Sequence, residues 1–458
     1  MLSVMKKRGF YINAAVLAGG SILLRLSGLW FRSYICGRIG AQGMGLYQLI
    51  FSVFTLGITA CTSGIGLAVT RLTSEGRGST KCIIKCMEFA LALSFISAGV
   101  LFFSSGFIAV RFIGNSCAAA PLRILAPGLP FIAACACLKG YFFAIRNTVV
   151  PVCGELLEQG AAIGASAALL NTSLPPLNAL MLGSTASEAA AFVYILIMFS
   201  IFARKNGLPH DGGSDVMHSI LHIAGPMLVG SFLRSSLYSA ENLMIPAGLR
   251  RHGSDYISAV AQYGVVQGMV MPVVFFPMSF VTSVAALLIP EIAEARAKNR
   301  PGVISSYVQK AFRQTLLFGF IVTGALIFFA DDIGFFFFDS RQAGTILRII
   351  APIAPIMYLD NMVDNILKGL DQQVYSLIFN FSDSLMRVAL IAVFIPMFGI
   401  KAYIAIIFAS EIYNASLSIG RLLKVSRVKV KIAEWIVIPA LSGALIYFVL
   451  CLIRKILL

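Results

Sequence analysis

The chain has 458 residues, of which 58% are hydrophobic and only 12% charged, and its mean hydropathy is +0.87. A soluble domain carries about 25% charged residues because its surface faces water, so this composition excludes a water-soluble globule and predicts a polytopic membrane protein. The formal net charge of +16 does not indicate nucleic-acid binding, because no basic face with interleaved aromatic residues accompanies it.

Long apolar segments follow one another along the chain, joined by connections of roughly ten polar residues or fewer. They are too long and too uniformly apolar for barrel strands, so the predicted fold class is an all-α polytopic helix bundle. The last segment is open to four interpretations: one helix, a bent hairpin, an interfacial helix or two unresolved spans. The predicted spans are 9–35, 44–70, 84–112, 121–145, 149–172, 184–204, 216–246, 257–290, 307–330, 342–369, 373–397, 401–423 and 433–453.

Basic residues concentrate in alternate connections, as they do in cytoplasmic loops. If the N-terminus is cytoplasmic, the opposite side receives fewer cations, and only the basic residues after the last span, Arg454 and Lys455, fit poorly. The charges on the predicted cytoplasmic side are Lys6, Lys7, Arg8, Arg71, Arg77, Lys81, Lys85, Arg204, Lys205, Arg296, Lys298, Arg300, Arg421, Lys424, Arg427, Lys429 and Lys431.

A weak internal repeat relates two parts of the chain. Residues 123–130, RILAPGLP, resemble residues 348–355, RIIAPIAP, and each segment continues into a Lys-Gly pair. Six spans precede the second copy, so both copies keep one orientation, and a pseudo-two-fold axis normal to the membrane is expected. The predicted organisation is an N-terminal six-helix lobe, a C-terminal six-helix lobe and an additional membrane segment, with boundaries at 1–208, 209–426 and 427–458.

Charged residues inside the spans are the candidate functional groups, because a charge at mid-bilayer costs roughly 2.5–3.5 kcal/mol. Arg25 and Arg32 lie seven residues apart on the first span, and Arg234 lies on the seventh. Guanidinium groups bind anionic oxygens in pairs and stay charged, so these three are predicted to bind a pyrophosphate-like group between the lobes. The alternative is that they form ion pairs between helices or extend to the headgroups.

Carboxylates and amides on the later spans are predicted to couple transport to Na⁺ or H⁺. Structural ion pairs are the alternative interpretation, for example Arg387 with Asp383 at a spacing of four residues. The candidate ion-coupling residues are Glu241, Asn242, Asp360, Asn361, Asp364 and Asp383.

Motifs of soluble catalysis and nucleotide binding are absent from the sequence. There is no phosphate-binding loop, no dinucleotide-binding glycine run and no nucleophile elbow. The nine cysteines lie mostly in apolar segments and indicate neither a metal site nor a disulfide framework. The prediction is therefore a transporter rather than an enzyme, with no cofactor and no bound metal, energised by an ion gradient or the membrane potential.

Three stretches carry a family resemblance. They are IGAQGMGLYQ at 39–48, then ENLMIPAGL at 241–249 with FFP at 275–277 and LIPEIAEA at 288–295, and KGLDQQ at 368–373. Together they resemble the stage V sporulation protein B group, in the polysaccharide-flippase branch of the multidrug/oligosaccharidyl-lipid/polysaccharide exporter superfamily. The resemblance extends over nearly the whole chain.

This resemblance implies two six-helix lobes that open alternately to each side of a bacterial cytoplasmic membrane. It implies a monomer surrounded by membrane lipids, with a lipid-linked sugar on undecaprenyl pyrophosphate as cargo for cell-wall, spore-cortex or polysaccharide assembly. It also implies essential arginines on the first helix, where Arg25 and Arg32 lie. The family usually has fourteen helices, and this chain is shorter at its C-terminus. A multidrug cation antiporter of the same fold and a non-transporting envelope-assembly scaffold are the alternatives.

Overall fold

The protein is helical almost throughout in the computed structural model, which describes residues 2–75, 79–206, 216–428 and 431–457. No β-strand occurs within these ranges. The predicted all-α membrane bundle is confirmed, because the described residues contain 11 helices long and apolar enough to cross a bilayer.

Thirteen helical segments correspond to the thirteen predicted spans. The helical region Gly19–Ser74 covers the first two of them. The predicted span 149–172 is the helix Val149–Leu169, which is not among the 11 most apolar helices and carries Glu155 and Glu158. Apolar length therefore predicts nearly every helix, including one that contains two carboxylates.

The chain forms two compact units. The first comprises Met1–Phe31 with Leu46–Leu243, and the second comprises Arg32–Gly45 with Met244–Leu458. The division falls within two long helical segments, α1 and α8, rather than in the connections between helices. The helices up to this division are α1 (Leu2–Thr62), α2 (Ile65–Ser74), α3 (Thr80–Ile108), α4 (Ala119–Leu125), α5 (Gly128–Ala144), α6 (Val149–Leu169), α7 (Pro176–Asn206) and α8 (Val216–Arg251).

The second unit contains the remaining helices. These are α9 (Tyr256–Tyr263), α10 (Met271–Ala297), α11 (Pro301–Phe328), α12 (Ala330–Phe338), α13 (Arg341–Ile350), α14 (Ala354–Gly369), α15 (Gln373–Phe398), α16 (Ile400–Ser426) and α17 (Ile438–Leu457). The lobe boundary predicted at residue 208 lies outside the described residues, as do Arg77 and Lys429 of the charge pattern. The predicted lobe limits therefore stay predictions.

Gly40 separates the first two predicted spans within α1. Its backbone has φ 66° and ψ −175°, a conformation outside the helical region. Glycine takes a positive φ without a steric penalty because it has no Cβ. Ser33 and Cys36, just before this break, bond to the backbone of α12: the Ser33 hydroxyl donates to the Phe337 carbonyl at 2.6 Å. This stretch of α1 is thereby held in the second unit.

The two copies of the sequence repeat form the most buried helical segment of each unit. In their most apolar windows, 61% of residues are buried in Ser116–Ala144 and 72% in Arg341–Gly369, against 11–44% in the other spans. Both copies interrupt the helix at the Ala-Pro pair, after Leu125 in one and after Ile350 in the other. The repeat is therefore reproduced in local structure, with one copy central to each unit.

The glycine of each Lys-Gly pair lets the central helix approach a neighbour closely. A Cβ on Gly140 would lie 2.5 Å from the carbonyl oxygen of Gly66 on α2. A Cβ on Gly369 would lie 3.0 Å from the carbonyl oxygen of Ile289 on α10. Any larger residue would push the backbones apart.

The C-terminal membrane segment is a single helix, α17, entered through a π-helical turn at Ala433–Val437. It packs along α11 through aromatic contacts, with the rings of Phe312 and Trp435 4.7 Å apart. At its far end Arg454 forms an ion pair with Asp332 at 3.3 Å and lies over the ring of Phe328. The pairing explains why this basic residue is tolerated at an end of the helix where the charge pattern predicted few cations.

Candidate functional site

Two of the predicted anion-binding arginines belong to the first unit. Arg25 on α1 and Arg234 on α8 are exposed, and neither has a hydrogen bond or ion pair with any described residue. Because no described carboxylate neutralises them, both guanidinium groups can accept an anionic ligand. The interpretation that they form interhelical ion pairs finds no support among the described residues.

Arg32 lies on the same helix but in the second unit. Its side chain is partly buried, and its Nη1 atom is fully buried without a hydrogen-bond partner among the described residues. The neighbouring Ser33 is bonded to α12, so Arg32 is carried on a fixed stretch of helix. A buried guanidinium nitrogen without an acceptor is costly, which suits a group that receives its acceptor from a ligand.

Glu241 and Asn242 are buried on α8 in the first unit, with 5% and 2% of their surfaces exposed. The Asn242 amide donates to the carbonyl of Tyr238 at 2.8 Å. One turn earlier, the Ser239 hydroxyl donates to the Ser52 carbonyl at 2.7 Å and joins α8 to α1. These two predicted ion-coupling residues belong to the first unit, whereas the other four belong to the second unit.

Asp364 on α14 is hydrogen-bonded to α15. The Ser376 hydroxyl donates to Asp364 Oδ1 at 2.6 Å, and the Asn380 amide donates to Asp364 Oδ2 at 3.1 Å. Each carboxylate oxygen thus has a donor from the protein. The neighbouring Asn361 accepts a hydrogen bond at 3.0 Å from the hydroxyl of Thr282 on α10.

Asp383 on α15 is buried and paired. Arg387, one turn along the same helix, donates to Asp383 Oδ2 at 2.5 Å, and Ser410 of α16 donates to Asp383 Oδ1 at 2.6 Å. The sequence analysis named this ion pair between Asp383 and Arg387, four residues apart, as the structural alternative to ion coupling. Glu411, next to Ser410, lies within electrostatic range of both.

Asp360 on α14 contacts α16 through Asn414. The Asn414 amide nitrogen donates to Asp360 Oδ2 at 2.9 Å and lies 3.3 Å from Asn380 Oδ1. One continuous set of hydrogen bonds therefore joins Asp364, Asn380, Asn414 and Asp360 across three helices. We refer to the side chains of α14, α15 and α16 that form these bonds, together with Asp383, Arg387, Ser410 and Glu411, as the C-terminal polar network.

Sequence reasoning found the carboxylates of this network but missed its neutral members. Part of the sequence pattern that would locate these neutral residues was present. Ser410, Asn414 and Ser418 occur at every fourth residue of an apolar helix and so share one face. Ser376 and Asn380 on α15 have the same spacing. Polar periodicity within an apolar span is thus the pattern that locates the partners of a buried acid.

A second charged group lies in the first unit and includes residues not predicted as a site. Lys139 on α5 has its ammonium nitrogen 3.6 Å from Glu155 Oε1 and 3.8 Å from Glu158 Oε2, both on α6. Glu188 on α7 lies within electrostatic range of Glu158 and Lys139. Two carboxylates therefore pair with one ammonium group, and a third lies within electrostatic range of it.

Neither charged group has the composition of a transition-metal site. Among the described residues, no three His, Cys, Asp or Glu side chains converge on a point where a metal could bind. The groups are instead hydrogen-bonded networks of oxygen and nitrogen atoms between apolar helices, a composition that suits protons and hard monovalent cations.

Comparisons with known proteins agree with this architecture. A family model described as MatE matches residues 226–393. Stage V sporulation protein B of Bacillus subtilis (strain 168) is 25% identical over 460 aligned residues, which cover 96% of this chain and 88% of that protein. Lipid II flippase MurJ of the same organism is 20% identical over 79% of this chain and 73% of its own length.

Solved structures give the same result for the fold. Lipid II flippase MurJ in an inward closed conformation superposes with a TM-score of 0.69 at 15% identity, covering 97% of this chain and all of that chain. An inward-facing multidrug resistance MATE family transporter superposes with a TM-score of 0.66 at 14% identity, covering 88% of this chain and 94% of that chain. The chain therefore has the fold that these solved structures share, and its similarity to stage V sporulation protein B confirms the predicted resemblance to that group.

Proposed function

We propose that the protein is a flippase that moves a lipid-linked oligosaccharide or peptidoglycan precursor outward across the bacterial cytoplasmic membrane. The cargo is of the undecaprenyl pyrophosphate type, and its sugar serves cell-wall, spore-cortex or polysaccharide assembly. The protein works as a monomer by alternating access, is not an enzyme, and has its N-terminus in the cytoplasm. Support comes from its relatives, which include a lipid II flippase and a stage V sporulation protein.

The observation that carries this proposal is the absence of described carboxylate partners around three membrane arginines. Arg25 and Arg234 are unpaired among the described residues, and Arg32 has a buried nitrogen without an acceptor there. Unpaired guanidinium groups within membrane helices are costly unless a ligand or water solvates them. A pyrophosphate offers the paired anionic oxygens that guanidinium groups bind best.

The C-terminal polar network supports coupling to a cation. Its carboxylates are Asp360, Asp364, Asp383 and Glu411, while Arg387 is the cation among the described residues that contacts it. The negative groups exceed the positive ones, so the network favours binding a proton or a monovalent cation. Entry and loss of that cation would bias the two access states of the transporter.

The proposal is tested by complementation of a bacterial strain depleted of its own lipid-linked precursor flippase. Variants R25Q and R234Q are expected to abolish growth while the protein reaches the membrane in normal amounts. Variants R25K and R234K are expected to restore growth in part, because lysine keeps the charge and loses the paired hydrogen bonds.

Arg111 provides the matched control. It is an exposed arginine in the turn Ala109–Ile113 that also lacks a hydrogen bond or ion pair to a described residue. The variant R111Q is expected to complement fully, because its position is outside the predicted anion-binding set. Full growth with both R25Q and R234Q would show that these arginines do not bind the cargo.

A multidrug cation antiporter is the second candidate, and one observation favours it. In the first unit, Glu155 and Glu158 pair with Lys139 and Glu188 lies within electrostatic range of it. This leaves an excess of negative charge suited to an organic cation. Purified protein in liposomes distinguishes the two functions. Export of ethidium without movement of a lipid-linked sugar would establish the antiporter. Movement of neither, with envelope defects on deletion, would indicate the scaffold.

A further inference from the structure

A cavity of about 350 Å³ lies beside the last turn of α17, inside the second unit. The apolar sequence of α17 ends at Arg454 and Lys455, so the cavity lies where a membrane helix meets the lipid headgroups. Its volume falls within the range of about 300–1,000 Å³ that is usual for small-molecule sites. Its lining among the described residues is Ile327, Phe328, Arg348, Tyr447, Cys451, Arg454 and Lys455.

Three basic side chains line the cavity, and the described residues pair only two acids with them. Arg348 Nη2 donates to Asp331 Oδ2 at 2.6 Å, and Arg454 Nη1 donates to Asp332 Oδ2 at 3.3 Å. Lys455 has no hydrogen bond or ion pair with a described residue. One positive charge is therefore left over, and each guanidinium has further N–H donors beyond the one that its acid receives.

Aromatic contacts fix the position of one wall and of one arginine. The rings of Phe328 and Tyr447 lie 6.3 Å apart and join α11 to α17. The guanidinium carbon of Arg454 lies 5.7 Å from the centre of the Phe328 ring. Arg454 is thereby held between a ring and an acid before any ligand arrives, which lowers the entropic cost of binding.

An apolar stripe on α17 leads to this cavity. Leu441, Leu445, Phe448 and Leu452 are 59% to 67% exposed and recur at spacings of four, three and four residues, so they share one face of the helix. The next position of the same stripe is Lys455. The most apolar window of this span is only 11% buried, so the stripe faces acyl chains. A lipid-facing surface therefore ends at an unpaired cation.

We propose that the cavity binds the phosphate group of an anionic phospholipid through Arg348, Arg454 and Lys455, with the acyl chains lying along the stripe of α17. Guanidinium and ammonium groups are the usual donors to phosphate oxygens. Basic pockets between membrane helices bind anionic headgroups by the same chemistry. A zwitterionic lipid carries its own cation, which the surplus positive charge of the cavity repels.

The stripe distinguishes a lipid from a free phosphate ion. Both ligands offer the same anionic oxygens to the three basic groups, but only the lipid also contacts Phe448 and Leu452 on the approach to Lys455. Contact with apolar side chains adds affinity in proportion to the area that it removes from water. The occupant is therefore a membrane lipid, and its binding requires neither the cargo nor the arginines of the proposed function.

The test is a lipid titration of the delipidated full-length protein in a non-ionic detergent, followed by native mass spectrometry. Phosphatidylglycerol is expected to bind more tightly than phosphatidylethanolamine with the same acyl chains. K455Q is expected to weaken phosphatidylglycerol binding about fivefold and to leave phosphatidylethanolamine binding unchanged. K455R keeps the charge and is expected to retain binding within about twofold.

Lys401 gives a matched control in the same unit. It is an exposed lysine at the start of α16 that also lacks a hydrogen bond or ion pair with a described residue, and it does not line the cavity. K401Q removes the same charge and is expected to bind phosphatidylglycerol within about twofold of the wild type. Equal losses in K401Q and K455Q would overturn the assignment, because they would indicate attraction to the net charge rather than to a site.

Three further outcomes would also overturn the lipid site. One is equal affinity of the wild-type protein for phosphatidylglycerol and phosphatidylethanolamine. Another is displacement of phosphatidylglycerol by millimolar inorganic phosphate, which would identify a site for the free ion. The third is displacement by equimolar undecaprenyl pyrophosphate, which would assign the cavity to the cargo. The proposed function fails separately, because complementation by R25Q and R234Q says nothing about lipid selectivity at Lys455.

Discussion

Replacing Arg387 by methionine is expected to destabilise the second unit strongly, because the change leaves Asp383 buried without its cation. The Asp383 side chain is only 5% exposed, and the Arg387 side chain is 30% exposed, so solvent screens the pair weakly. Breaking a buried ion pair from one side costs about 3–5 kcal/mol. Ser410 still donates to Asp383 Oδ1 in the variant, so the lower end of that range, about 3 kcal/mol, is expected.

The double variant D383L/R387M separates the cost of a stranded charge from the value of the pair. Two apolar side chains of similar volume replace both charges, and such exchanges are neutral or stabilising in many proteins. Ser410 loses its acceptor but can turn to the carbonyl of Ile406, one turn earlier on its helix. The double variant is therefore expected to lie within about 1 kcal/mol of the wild type.

The free energies of unfolding of both variants are measured by reversible unfolding of the purified protein in mixed micelles. Circular dichroism and tryptophan fluorescence follow the transition. Trp435 contacts α11 in the same unit and reports on its packing. The reasoning is refuted if R387M unfolds like the wild type, or if D383L/R387M is as unstable as the single variant.

Two other predictions concern packing and topology. G140A is expected to lose about 1–3 kcal/mol of stability, because its Cβ would lie 2.5 Å from the backbone of Gly66. The control G160A places a Cβ where no atom lies within 4 Å, so it should be neutral or slightly stabilising. Equal thermal stabilities of the two variants would contradict the close approach at Gly140. Alkaline phosphatase fused after the last residue is expected to be active, and green fluorescent protein fused at the same place is expected to be dark. The variant R454Q should leave both signals unchanged, because the half-exposed ion pair between Arg454 and Asp332 contributes no more than about 1 kcal/mol. A bright fluorescent fusion would place the C-terminus in the cytoplasm instead.

The helices of this protein were predictable because the bilayer imposes their length and composition on the sequence. All thirteen predicted spans correspond to helical segments, and the repeated Ala-Pro motif marks the most buried segment in each unit.

The division between the units was not predictable in the same way. It falls inside α1 and α8, where composition does not change, and it depends on contacts such as Ser33 with Phe337. The lobe limits drawn from the repeat reflect chain order, whereas the units reflect packing.

The candidate site illustrates a different limit. Counting charges within apolar spans identified Arg25, Arg234 and the acids of α14 and α15, because each charge in a bilayer requires a reason. Counting cannot rank them, since Asp360, Asp364 and Asp383 look equivalent in a sequence. Their neutral partners make the difference, and those partners lie 12 to 54 residues away.

Hydrogen bonding and ion pairing are the properties that a structure adds to such a count of charges. A saturated carboxylate such as Asp364 gains little from a cation, because a bound ion would have to displace donors that the protein already supplies. The same argument applies to the arginines: a guanidinium already paired to an acid would lose that partner when it binds cargo, whereas Arg25 and Arg234 have no described partner to lose. We therefore expect the arginines without a described partner, rather than the paired ones, to exchange ligands during the proposed transport.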